Sequence, residues 1–212
     1  MENDAKTKSR KYFNSHRKSK LARGGYWRHD YKFALEAIGR IKPKSLIDIG
    51  CGPGAFLLSV SESYPDISLA ALDLSEEMVE ETRLRLGGKV DAVAGDSEDM
   101  PLDSGRFGAV TCNMSLHHYP HPQKAVNEMF RILGEGGYLL LNDLDCIAPL
   151  RALANFCFPR MHTGDAKMYK REEILEFMSA AGFKDVSYKK ISPFSFQCIG
   201  RKRYLDTTFI TV

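Results

Sequence analysis

Long apolar runs are missing from this 212-residue chain: no stretch approaches the 18 or so residues that a helix needs to span a bilayer. The first 25 residues are polar and basic and hold no apolar core that would act as a signal peptide. Cysteine is sparse and irregular. Cys51, Cys112, Cys146, Cys157 and Cys198 are odd in number, widely spread and form no C-x-x-C pair. That argues against a disulfide framework or a structural zinc site and for reduced thiols. These absences predict a soluble, cytoplasmic protein. There is no internal repeat and no low-complexity linker, so a single domain is expected.

What is present describes a protein with a substantial core. Hydrophobic residues make up 43% of the chain and charged residues 27%, and a chain of this size buries roughly 70% of its unfolded surface. The net charge of +3 singles out no partner, but its distribution is uneven. Residues 1–28 carry nine Lys/Arg against two acids, and 184–203 carry six against one. Residues 29–183 hold 15 basic and 23 acidic residues. An acidic body therefore lies between two basic ends.

Residues 1–25 are expected to be mobile until something binds. Apolar positions Phe33, Ala34, Ala37, Ile38 and Ile41 then repeat at helical spacing, with Pro43 as a stop. From there strands and helices alternate: strand 45–49, helix 54–63, strand 67–72, and a helix capped by Ser75 and stopped at Gly87-Gly88. Strands are expected at 90–94, 107–112 and 137–141, with an amphipathic helix over 121–133. Residues 143–168 show no clear period and read as a substrate-cover insertion. A helix over 170–181 and two strands, 183–190 and 194–200, close the chain as a hairpin. The alternation predicts an α/β fold with a doubly wound, mostly parallel sheet and helices on both faces.

Asp48-Ile-Gly50-Cys-Gly52-Pro-Gly54 is the most informative segment. A strand runs into three alternate glycines and a helix opens directly after, the arrangement that brings backbone N–H groups close to a ligand. Asp73, 19 residues after Gly54, ends the next strand and is placed to accept from both hydroxyls of a ribose. Gly50-x-Gly52-x-x-Ala55 followed by this acid also satisfies the dinucleotide pattern. Pro53, however, removes an N–H where a pyrophosphate needs donors, and Asp48 places a carboxylate near the loop. A cationic ligand without phosphate, such as S-adenosylmethionine, suits that charge better than NAD does.

With Leu72-Asp73-Leu74-Ser75, Gly95 to Leu102, Asn113-Met-Ser-Leu-His-His118 and Arg131 to Leu139, this loop resembles the class I S-adenosylmethionine-dependent methyltransferases, of the small single-domain type 11 group. The resemblance runs from about residue 44 to 142 and is weaker toward the C-terminal hairpin. It implies a Rossmann-like, seven-stranded sheet. It also implies that Asp48, Gly50, Cys51, Gly52 and Gly54 surround the methionine portion of the cofactor. Asp73 would hold the ribose, with Leu74 and Met78 beside the adenine. Asp96 and Ser97 would meet the adenine amino group, and Asn113 would offer a carbonyl near the ammonium. Residues 1–28 would form a basic lid ending in Tyr26 and Trp27, ahead of one methyltransferase domain over 29–212.

The acceptor end is less defined. Tyr26, Trp27, Phe156, Phe158 and His162 are expected to line it, with His117 and His118 as candidate catalytic bases. Adjacent histidines usually point apart and no carboxylate or cysteine completes a ligand set at usual spacing, so no metal is expected. The expected reaction is methyl transfer by in-line displacement to a small, partly apolar metabolite, yielding S-adenosyl-L-homocysteine, by a monomer or homodimer with no membrane partner. Two alternatives stay open: an RNA or tRNA methyltransferase gripping phosphates through the basic ends, and a non-catalytic S-adenosylmethionine-binding protein. Against nucleic acid, Asn113-Met114-Ser115-Leu116 stands where a base pocket of Asn-Pro-Pro-Tyr type would be.

Overall fold

The computed structural model describes residues 2–16 and 28–203. Seven strands form one sheet: β1 (Ser45–Ile49), β2 (Ser68–Asp73), β3 (Val90–Ala94), β4 (Phe107–Asn113), β5 (Leu133–Leu144), β6 (Lys184–Ser192) and β7 (Ser195–Arg201), in the order β3-β2-β1-β4-β5-β7-β6. β1 to β5 are mutually parallel, and β7 runs antiparallel between β5 and β6. This is the Rossmann-like sheet with an antiparallel C-terminal hairpin that the motifs imply. The strand order reverses between β1 and β4, so a crevice opens beyond the carboxyl ends of these strands, where α/β sheets bind ligands.

Burial explains which strands lie inside. The residues of β1 after Ser45 are all buried, whereas β6 is mostly exposed or half-buried, as suits an edge. Period-2 alternation sends Ile47 and Ile49 into one core and Leu46 into the other. The Ile47 side packs with α5 (Pro122–Ile132) and α7 (Arg171–Ala181) through Val126, Met129, Ile174 and Met178. The Leu46 side packs with α2 (Arg28–Ile41), α3 (Ala55–Ser63) and α4 (Glu76–Leu86) through Ile38, Leu57, Val60 and Val79. Ser75 caps α4 by accepting from the Met78 N–H at 3.2 Å.

Two segments depart from expectation. Residues 143–168 contain α6 (Ala148–Cys157), none of whose residues is buried, which is why no core-facing period shows in the sequence. The N-terminal segment, expected to be mobile, contains α1 (Glu2–His16). Its composition is too polar to announce a packed helix; the helix is held by specific tertiary contacts instead. Lys6 Nζ donates to Asp96 and Glu98 at 2.8 and 2.7 Å, Asn14 Oδ1 accepts from Ser75 Oγ at 2.5 Å, and Phe13 meets His118 edge-on at 5.1 Å. No helix among the described residues is long and apolar enough to cross a membrane.

Candidate active site

A cavity of about 350 Å³ lies at the carboxyl ends of β1, β2 and β4, roofed by Lys6, Ser9, Tyr12 and Phe13 of α1. It is within the size range of small-ligand sites. Its floor is the glycine loop. Gly50 turns through φ +71°, and a Cβ there would sit 1.9 Å from Ser115 Oγ. Only glycine fits that turn. The Gly50 and Cys51 N–H groups both donate to the Leu72 carbonyl, tying the loop to the end of β2.

Asp73 organises the same corner. Its Oδ2 accepts from the Gly52 N–H and its Oδ1 from the Ser75 N–H, both at 2.9 Å. Each carboxylate oxygen keeps further acceptor capacity for a ligand hydroxyl. Burial raises the Asp73 pKa, against the opposite pull of those backbone donors. Asp48, 2% exposed, accepts through Oδ1 from Thr111 Oγ1 at 2.7 Å and Asn113 Nδ2 at 3.1 Å. Burial pushes its pKa up to about 7 despite these donors. No cationic side chain among the described residues pairs with it.

Leu74, Met78, Asp96 and Ser97 complete this half of the lining, with Cys51 at its edge. Burial raises the Cys51 thiol pKa well above its ordinary range, so it serves as a small apolar wall. Gly54 is not part of the lining: it caps α3 at φ +74°, packed near Thr82 and Leu86. Asn113 lines the cavity, but its side-chain carbonyl already accepts from Asn142 Nδ2 at 3.0 Å, and its amide serves Asp48. Asp96 holds Lys6 and also accepts from the Glu98 N–H at 2.9 Å.

The acceptor half draws on more distant segments. Beyond β4 the chain passes through Met114 at φ +52°, a strained conformation for a side chain of its size, into a one-turn helix over 116–118. This turn defeats the expectation that His117 and His118 point apart: their ring centroids lie 4.1 Å from each other. His117 Nδ1 lies 2.5 Å from Asp143 Oδ1, and its backbone N–H donates to Asp143 Oδ2 at 3.1 Å. Asp165, from the loop after α6, places Oδ1 3.2 Å from His118 Nδ1 and 3.5 Å from His117 Nε2. Burial lowers the His117 pKa, but Asp143 and Asp165 outweigh it and raise the net value. Burial and the neighbouring His117 push His118 well down.

Of the expected acceptor-lining residues, Phe158 does line the cavity. Phe156 does not: it is 63% exposed on the outer side of α6, with the Arg160 guanidinium 4.2 Å above its ring. His162 is likewise exposed and outside the lining. The unburied course of α6 carries both away from the cavity. Tyr26 and Trp27 lie outside the described residues. The N-terminal segment was expected as a lid; unanticipated are its helical form and its contacts through Lys6, Ser9, Tyr12 and Phe13, together with Asp143, Thr163 and Asp165.

A mostly parallel sheet reversing at a glycine loop, with an acid ending the second strand and β7 antiparallel between β5 and β6, fits the class I methyltransferase architecture. Residues 47–141 match the family model described as "Methyltransferase domain", the span over which the sequence resembles the class I S-adenosylmethionine-dependent methyltransferases. Among curated proteins it is similar to 2-methyl-6-phytyl-1,4-hydroquinone methyltransferase 2, chloroplastic, of Oryza sativa subsp. japonica. That similarity is 30% identity over 80% of this chain and 48% of the relative. A further relative is the ubiquinone/menaquinone biosynthesis C-methyltransferase UbiE of Geobacter sp. strain M21, 25% identical over 76% of this chain and 78% of its own. The chain spans about half the length of the phytyl-hydroquinone methyltransferases it matches. A solved S-adenosylmethionine-dependent methyltransferase from Thermotoga maritima shares the fold with TM-score 0.71 and 22% identity, over 94% of this chain and all of that one.

Proposed function

We propose that the chain is an S-adenosylmethionine-dependent methyltransferase acting on a small, partly apolar metabolite. One observation carries this reading: Asp48 is a buried carboxylate with no cation beside it among the described residues, at the base of a glycine loop whose neighbour Asp73 keeps acceptor capacity. A ligand bearing an ammonium and a ribose fits that donor and acceptor set, and a diphosphate does not. The relatives support a small acceptor: one is named for a phytyl hydroquinone and another for ubiquinone and menaquinone biosynthesis.

When bound, S-adenosylmethionine supplies a methyl group on a sulfonium, already activated for displacement. The chain's task is then to position the acceptor and exclude water. Asp48 meets the ammonium, Asp73 the ribose hydroxyls, and Leu74 and Met78 flank the base. Asp96 and Ser97 stand at the adenine edge, where Lys6 is the group that must share Asp96 or yield it. Residues 1–28 act as the lid through α1, with one methyltransferase domain following it. At the acceptor end His117 and His118 are the groups that polarise the incoming nucleophile, beside Phe158. The aromatic and apolar roof of Tyr12 and Phe13 suits an acceptor that is partly apolar.

Incubating the protein with a metabolite extract and isotopically labelled S-adenosylmethionine tests this directly. The expected result is a labelled small molecule by mass spectrometry. Label recovered only in RNA would instead favour the nucleic-acid alternative, and no labelled product at all would favour cofactor binding without transfer.

A further inference from the structure

We propose that His117, His118 and Asp165 form a binding site for one divalent transition-metal cation at the acceptor end of the cavity, open on the cavity side to an oxygen-donor acceptor. Three side chains converge there: His117, His118 and Asp165 each place one ligand atom within 4.8 Å of the other two. The two edges to Asp165 are 3.2 and 3.5 Å. Ligand atoms about 2.1 Å from one metal, at angles between octahedral and tetrahedral, are about 3.0–3.4 Å apart. The two edges to Asp165 therefore need little movement to close around an ion.

The opposite ends of these side chains are held, as the ligands of metal sites usually are. Asp143 Oδ1 lies 2.5 Å from His117 Nδ1, leaving Nε2 as the free nitrogen. Asp143 is itself pinned by the backbone N–H groups of His117 and Leu144, at 3.1 and 2.7 Å. Thr163 Oγ1 donates to Asp165 Oδ2, leaving Oδ1 to face the histidines. A carboxylate–histidine pair of this kind fixes both tautomer and ring orientation.

His118 Nδ1 supplies the independent observation. It is fully buried and has no hydrogen-bond partner, although Asp165 Oδ1 is 3.2 Å away. A buried polar atom without a partner is uncommon and calls for an explanation. A cation between the nitrogen and the carboxylate satisfies both. The charge also balances, because the carboxylates of Asp143 and Asp165 together carry −2 against the +2 of the ion, and ligating imidazoles are neutral. Two imidazoles with one carboxylate favour ions of the zinc, cobalt or iron type over magnesium or calcium. His117, His118, Thr163 and Asp165 all line the same cavity as Asp48 and Gly50, so the unfilled coordination positions face the space left for an acceptor. That last clause rests on the methyltransferase reading; the metal site itself does not.

The test uses the full chain, stripped with a chelator and titrated with Co²⁺ under visible absorption and calorimetry. One Co²⁺ per chain is expected, displaced by Zn²⁺. Asp165→Ala and His118→Ala should each weaken uptake by tenfold or more, and Asp143→Asn by about 10- to 100-fold through loss of ligand orientation. His121→Ala should leave uptake unchanged. S-adenosylhomocysteine affinity, measured on each variant, reports whether it is folded and should stay within about twofold of wild type. No stoichiometric Co²⁺ uptake by wild-type chain that binds S-adenosylhomocysteine would overturn the metal site, as would uptake undiminished in Asp165→Ala. Chain that takes up Co²⁺ as described but binds no S-adenosylhomocysteine would leave the metal site standing and remove the methyltransferase reading.

Discussion

The two halves of the cavity are built by different means. The cofactor half is made at the ends of β1 and β2 from residues close together in the chain, and much of its chemistry is backbone: a glycine loop whose N–H groups are tied to Leu72 and Asp73. The acceptor half is made of side chains from α1, the turn after β4, the end of β5 and the loop after α6. Phe13, His117, Asp143 and Asp165 span most of the chain. A site encoded locally tolerates little substitution at its turns. A site assembled over long range can change its chemistry through single side chains while the sheet stays the same.

Gly50→Ala should produce the largest effect on the cofactor side. A Cβ at φ +71° and 1.9 Å from Ser115 Oγ strains the turn, costing about 1–3 kcal/mol of stability. It should abolish measurable S-adenosylhomocysteine binding; wild-type affinity and melting temperature would show that the loop is not built as described. Asp73→Asn comes next. Removing the charge while keeping one acceptor oxygen should weaken S-adenosylhomocysteine binding by about tenfold, and unchanged affinity in calorimetry would remove Asp73 from the site.

The pH dependence of affinity separates the halves more finely. Asp48, raised to about 7 in the ligand-free protein, is mostly protonated at pH 6 and mostly ionised at pH 8. Only the ionised form pairs with an ammonium, so affinity should rise by about tenfold across that interval. Asp48→Asn should flatten the rise; a wild-type profile already flat or falling would contradict the role of Asp48. Lys6→Ala should have the smallest effect, a few-fold faster ligand release from loss of a roof contact that is only partly buried. Stopped-flow release rates would show it, and an effect as large as that of Asp73→Asn would mean that α1 is more than a roof.

The same contrast explains what could be read from sequence. Glycines at alternate positions between an apolar strand and a helix carry their geometry with them, so the loop, Asp48 and Asp73 were legible. So was the sheet, because its strands are short, apolar and bounded by Gly and Pro. Asp165 was not: nothing in Thr163-Gly164-Asp165 announces that it meets His117, 48 residues earlier in the chain. The approach depends on Gly164 at φ +75°, where a Cβ would strike the Ser9 backbone 2.5 Å away. α1 hides for a related reason, since a polar helix held by a few ion pairs and one ring contact leaves no hydrophobic period to detect. Aromatic residues in an irregular segment suggest a pocket wall, a pattern that Phe156 fits in sequence but not in space. The structure turns it outward onto Arg160, while Phe158, two residues on, faces in.

Calorimetric titration of the full chain with S-adenosylhomocysteine and, separately, with NADH tests the central claim most directly. The loop geometry, the isolated Asp48 carboxylate and Pro53 predict one S-adenosylhomocysteine bound per chain and no heat from NADH. Binding of NADH without S-adenosylhomocysteine would contradict the account.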